Sequence, residues 1–164
     1  MSVLLPFTIF LYEYFVWQLD IGNFTTHAHH VHLFGRNLFF LFVQMNTWPH
    51  LLGAYAFHHK SKWLMVLYLP YLILFTVGQI FTWWLPYFFE YGLWHSDPTG
   101  EKLAQFHKYH SNHHRILPKF RNHPVVPDTE HTILFVLTLL TLVTSLRAVI
   151  LRFRTVISAS KKKH

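Results

Sequence analysis

The chain has 164 residues, of which 52% are hydrophobic and only 13% charged. A soluble domain carries about 25% charged residues, so half of the usual polar cover is missing. This composition excludes a disordered chain, argues against a cytosolic globule, and describes a single integral membrane domain over 1–164. The net charge is +7, with 15 histidines besides. In such a chain the expected partner of the cations is the lipid head group and not nucleic acid. The absence of cysteine excludes disulfides, thiolate metal sites and cysteine nucleophiles.

A bilayer core about 30 Å thick needs roughly 20 apolar residues per helix, and four stretches qualify. The first, about 3–19, contains Glu13. It lacks the basic start and small-residue cleavage site of a signal peptide, so it reads as retained. The second, about 33–57, is interrupted by Asn46, Pro49 and His50. The third, 63–94, is too long for one upright span and is punctuated by Pro70, Gly78 and Pro86. We expect a helix kinked at Pro86 there, in preference to a long tilted helix or a re-entrant hairpin around Gly78. The fourth runs over about 132–151, with Arg147 near its end. Trp17, Trp63, Trp83, Trp84 and Trp94 fall mostly near segment ends, where indoles favour the membrane interface.

The expected fold is therefore all-α: an integral membrane bundle of about four transmembrane helices. A His-rich amphipathic helix lies in the loop 95–131 before the last span, and a basic tail covers 152–164. In that tail Lys161, Lys162 and Lys163 are expected at lipid head groups. They also fit a dilysine retrieval signal, which implies the endoplasmic reticulum in a eukaryote and the inner membrane in a bacterium. Placing the tail in the cytoplasm leaves Lys102, Lys108, Arg115, Lys119 and Arg121 on the far side, against the usual bias of basic loops. Sidedness thus stays open.

Chemistry concentrates between Trp94 and His131. Asp97 or Thr99 is expected to cap a helix beginning near Glu101, and Pro118 to end it. At 100° per residue, His107, His110, His113 and His114 share one stripe with Leu103, Phe106 and Leu117, while Lys102, Lys108 and Arg115 fall opposite. Neutral imidazole is the commonest side-chain metal ligand, and spacings of three and four let rings converge on one ion. These four histidines are the leading metal candidates. The plainer reading is an interfacial helix whose histidines only tolerate the boundary.

A second group, His27, His29 and His30, precedes the second span and shares a membrane side with the first under a four-span topology. His58 and His59 fall on the opposite side. His95 stands near Asp97, and His131 follows Glu130; each carboxylate is a candidate outer partner that orients a ring. Glu13, deep in an apolar segment, is expected to face a partner or a cavity.

His110-Ser111-Asn112-His113-His114 is an H-x-x-H-H box. It resembles the histidine boxes of the membrane di-iron family, which includes fatty-acid desaturases and hydroxylases, alkane hydroxylases and carotenoid hydroxylases. The nearby Tyr91-Gly92-Leu93 string is similar to one in the alkane hydroxylases. The resemblance implies two irons held by several boxes, dioxygen attack on C–H bonds of lipids, and a separate electron donor. The family's other boxes are represented here only by His27-Ala28-His29-His30, at a different spacing.

Three readings follow. The first is a histidine-ligated membrane metalloenzyme, with iron activating dioxygen or zinc activating water, acting on a lipid or other apolar small molecule. The second is a small transporter, channel or accessory subunit whose histidines handle protons or ions. The third is a lipid or sterol binder. A domain this small is a candidate for homo-oligomers that enclose a pocket.

Overall fold

The computed structural model describes residues 3–19, 21–25 and 27–161, with 27–30, 32–34 and 156–161 described by their backbone alone. Every regular element among the described residues is helical. Helix α1 spans Leu4–Gln18, α2 His27–His58 and α3 Lys62–Gln79; α4 is Leu85–Phe89, α5 Glu101–His110 and α6 Thr129–Lys161. Pro6 sits in the first turn of α1, where an N–H would have no intrahelical partner. α2 is interrupted at Gly35, whose φ of 71° and ψ of 158° are strained for any residue with a Cβ.

The long apolar run is helical from Lys62 to Phe89 without reversing at Gly78. Its distortion is a π-helical turn at Ile80–Trp84, just before Pro86, in which the Leu85 N–H reaches back to the Ile80 carbonyl. Pro86 has no N–H to offer the carbonyl four residues earlier, which favours such a shift at this point. The helix stops where Glu90 adopts a left-handed φ of 53°.

Four helices close a ring: α1 packs on α2 and α6, α2 on α3, and α3 on α6. Neighbours are antiparallel. Trp17 meets Phe42 while Phe10 meets Trp48, and the Tyr71 hydroxyl donates to the Asn46 carbonyl while Phe57 meets Tyr68. Likewise Trp84 meets Phe135, while Gln79, earlier on its helix, donates to Thr138, later on the other.

Each helix buries one stripe at spacings of three and four. Ile9, Glu13 and Trp17 form it on α1; Phe39, Val43, Thr47, His50, Ala54 and Phe57 on α2. On α3 it is Met65, Tyr68, Leu72, Thr76 and Gln79, and on α6 Leu134, Thr138, Thr141, Ser145 and Val149. The buried stripes thus mix polar with apolar side chains, whereas the outer faces carry Leu67, Leu74, Met45 and Val143, each at least 66% exposed. Outer faces this apolar are unusual for a water-soluble bundle. Two helices, Lys62–Phe89 and Thr129–Thr155, are long and apolar enough to cross a membrane.

The loops are segregated. One end carries a 3₁₀ turn at Gly22–Phe24, α4, a second 3₁₀ turn at Leu93–His95, α5 and the loop 111–128. The other end carries the exposed His58 and His59.

Candidate metal centre

The N-terminal turn of α5 is satisfied locally. Asp97 accepts from the Thr99 N–H and hydroxyl and from the Lys102 N–H, and the Thr99 hydroxyl accepts from the Glu101 N–H. These bonds hold the Asp97 carboxyl below its usual range. Phe106, fully buried, packs with Trp83 and Val125 and anchors the helix against the π turn; such a burial contributes about 1.5–3 kcal/mol.

α5 ends at His110, earlier than its apolar stripe implies. Beyond Ser111–Asn112 the backbone is captured by other segments: the His114 N–H donates to the Asn23 carbonyl at 2.9 Å, and the Thr129 N–H donates to the His114 carbonyl at 2.8 Å. These bonds replace those of a continued helix. His113 therefore leaves the helical projection and turns with His110 towards the start of α6.

Asp128 caps α6. Its Oδ1 accepts the His131 N–H at 2.9 Å and lies 2.7 Å from His131 Nδ1. Its Oδ2 lies 3.3 Å from His113 Nδ1 and 3.5 Å from His110 Nδ1. One ligand atom from each of His110, His113 and Asp128 falls within 4.8 Å of the others, so the three can hold a metal ion. Separations of 3.3 and 3.5 Å make these long hydrogen bonds, since charge-assisted ones run about 2.7–2.9 Å. They match the edge of a tetrahedron with metal–ligand bonds of about 2.0–2.1 Å, which is about 3.3 Å.

The surroundings suit ligation. His110 is 3% exposed and Asp128 2%. Burial pushes the His110 imidazole below its ordinary value, against the opposing pull of Asp128, which favours the neutral, ligating form. Burial alone would raise the Asp128 carboxyl; the charge of His131 and hydrogen bonds from His110, His113 and His131 outweigh it and hold the carboxyl well below its usual range. Trp83 closes one wall, with its ring centroid 3.9 Å from His131 and 5.1 Å from His110.

The other residues singled out in the sequence have varied placements. His107 is exposed on α5. His114 stacks on Phe24 at 4.7 Å and its Nδ1 lies 2.7 Å from the Thr129 hydroxyl, away from the cluster. His131 lies beside the cluster as the partner of Asp128. Glu130 accepts from the Trp17 indole at 2.9 Å, and its carbonyl accepts from the Tyr12 hydroxyl. His95 closes the second 3₁₀ turn. His27, His29 and His30 form the start of α2, at the same end of the bundle, and their side chains lie outside the described residues. So does that of Lys161, and Lys162 and Lys163 lie outside altogether.

Sequence reasoning overlooked Asp128. The signal was local: Pro127-Asp128-Thr129-Glu130 precedes an apolar run, as an N-cap and first turn do. It also overlooked a cavity of about 530 Å³ that reaches from the surface to His110 and His131. Away from the cluster, Glu13 and His50 meet inside the ring. Both are fully buried, with Glu13 Oε2 3.5 Å from His50 Nε2 and the Tyr68 hydroxyl 2.8 Å from His50 Nδ1.

No protein-family model matches the chain, and comparison with curated proteins and with solved structures gave no match.

Proposed function

We propose that the chain is a four-span integral membrane protein in which His110, His113 and Asp128 hold a catalytic metal ion, and that it oxidises an apolar substrate in the manner of a hydroxylase or desaturase. The observation that carries this reading is the convergence of three ligand atoms within 4.8 Å, two of them on the buried His110 and Asp128. The apolar outer surface of the ring supports four spans, since α1 and α2 also expose large hydrophobic side chains outward, among them Leu4, Phe15, Leu38 and Leu41.

Two imidazoles and one carboxylate leave coordination positions open, a donor set that suits non-haem iron and also zinc. Iron held there would supply dioxygen activation, and the H-x-x-H-H resemblance favours iron. A second iron, as the resemblance implies, would draw on His27, His29 and His30. Asp128 serves both ends of the site: one oxygen faces His110 and His113, and the other fixes the ring of His131. Trp83 and Phe106 keep water from the ligands. The chain carries no dinucleotide-binding fingerprint, so electrons come from a separate protein.

A second reading, proton or ion handling, has one observation in its favour: the Glu13–His50 pair and the buried Thr47, Thr76, Gln79, Thr138 and Ser145 line the interior of the ring. Elemental analysis of tag-free protein, purified without a nickel step, separates the two. Near-stoichiometric iron that disappears in His110→Ala and His113→Ala is expected. Zinc in its place overturns the oxidative chemistry, and folded protein free of metal overturns the enzyme reading.

A further inference from the structure

The cavity has one polar end and one end open to the outer face of the bundle. Its inner wall includes Trp83, His110, His131 and Leu134; its rim is formed by Phe42 and Asn46 on α2 and by Leu74 and Gly78 on α3. Leu74 is 71% exposed, and a Cβ built on Gly78 meets nothing within 4 Å. Leu41, Met45, Val77 and Phe81 flank the rim, exposed and apolar. At this rim the cavity therefore faces the hydrocarbon that would surround the ring.

The lining restricts what enters. Its volume of about 530 Å³ lies within the range of about 300–1,000 Å³ typical of small-molecule sites. Among the described residues no Lys, Arg, Asp or Glu lines it, and His131 is already paired with Asp128 at 2.7 Å, so a carboxylate or phosphate would be buried without a free counter-charge, at high cost. Two lining residues carry buried polar atoms with no hydrogen-bond partner: Gln79 Oε1, an acceptor, and Trp94 Nε1, a donor. Both stand near the metal centre, since Trp94 is 5.7 Å from His110 between ring centroids and Gln79 is one turn before Trp83. A hydroxyl group offers a donor for the one and an acceptor for the other, and a carbonyl offers an acceptor for the indole; a plain hydrocarbon offers neither.

Building on the metal-centre reading, we propose that this cavity takes a neutral, hydroxyl- or carbonyl-bearing lipid that enters from the bilayer between α2 and α3 and lodges its polar end beside His110 and His131. Chemistry at the centre then falls on carbons near the polar group and not in the middle of the chain.

The test uses quenching of the cavity tryptophans Trp17, Trp83 and Trp94 by brominated chains, on full-length tag-free protein in phosphatidylcholine nanodiscs. Dibromo-octadecanol is expected to quench saturably, and dibromo-octadecanoate and a dibromoalkane of equal length at least about tenfold more weakly. Gly78→Phe fills the rim without a backbone clash and is expected to abolish the saturable component while helical circular dichroism stays unchanged. Gln79→Leu is expected to weaken the alcohol and spare the alkane. Quenching unaffected by Gly78→Phe overturns the access route, and equal binding of acid and alcohol overturns the ligand class. Metal content is measured on the same samples. Saturable alcohol binding without metal overturns the metal reading alone; metal without saturable binding overturns the lipid proposal alone.

Discussion

Replacing Asp128 by asparagine and by alanine separates its two duties, capping α6 and facing the histidines. Asparagine caps as well as aspartate does, whereas alanine loses about 1 kcal/mol of cap. The hydrogen bond from His131 to the charged carboxylate at 2.7 Å is worth about 1.5–3 kcal/mol, and about 1 kcal/mol to a neutral amide. Asp128→Asn is therefore expected to cost the metal-free protein roughly 1 kcal/mol and Asp128→Ala about 2.5–4 kcal/mol. Both remove one of the three ligand atoms. Metal at a hundred times its Kd adds about 2.7 kcal/mol to a protein that binds it only when folded, so wild type gains that amount and the variants gain nothing. Unfolding in detergent with and without a chelator measures both effects. A chelator-sensitive Asp128→Asn variant retaining wild-type metal refutes the ligand assignment. Equal stability of the two variants refutes the capping role.

Three further outcomes follow from the same geometry. His113→Ala is expected to abolish metal binding, whereas His114→Ala keeps it and costs about 1 kcal/mol through the lost Thr129 contact; metal analysis of both variants checks this, and equal loss contradicts it. Breaking the Glu13–His50 pair with His50→Leu alone is expected to cost about 3–5 kcal/mol, and the Glu13→Leu/His50→Leu double variant much less. Additive costs in that double-mutant cycle would show that the two side chains do not interact. Acid should destabilise the fold in two stages. Burial lowers the proton affinity of His110 in the folded state, so the unfolded chain takes up that proton first and stability falls as pH drops below about 6.5. The depressed Asp128 adds a loss only below about pH 4, as pH falls through its folded value. Unfolding free energy that stays constant from about pH 7 to 5 contradicts the first stage.

The helices were legible because the stripes are. Apolar runs placed all four ring helices, and Trp83 and Trp94 did fall near the loop-bearing end. The polar content of the interior was not legible, because Thr47, Thr76, Thr138 and Thr141 are tolerated singly within apolar runs and only their common inward direction gives them meaning. The site was half legible. The H-x-x-H-H box supplied His110 and His113, but projecting one helix across it grouped them with His107 and His114. Where the helix stops depends on Asn23 and Thr129, each remote in sequence, which capture the His114 backbone. Local periodicity carries no record of such captures. Asp128 joins the histidines only because the loop 111–128 folds back over α5, a long-range event. The Glu13–His50 meeting likewise needed the antiparallel packing of α1 on α2.

X-ray absorption at the metal edge of tag-free wild-type protein tests the assignment most directly. A nitrogen–oxygen shell with outer scattering from two imidazoles is expected in the wild type, and no metal edge above background in His113→Ala. No bound metal, or a shell unchanged in that variant, would contradict it.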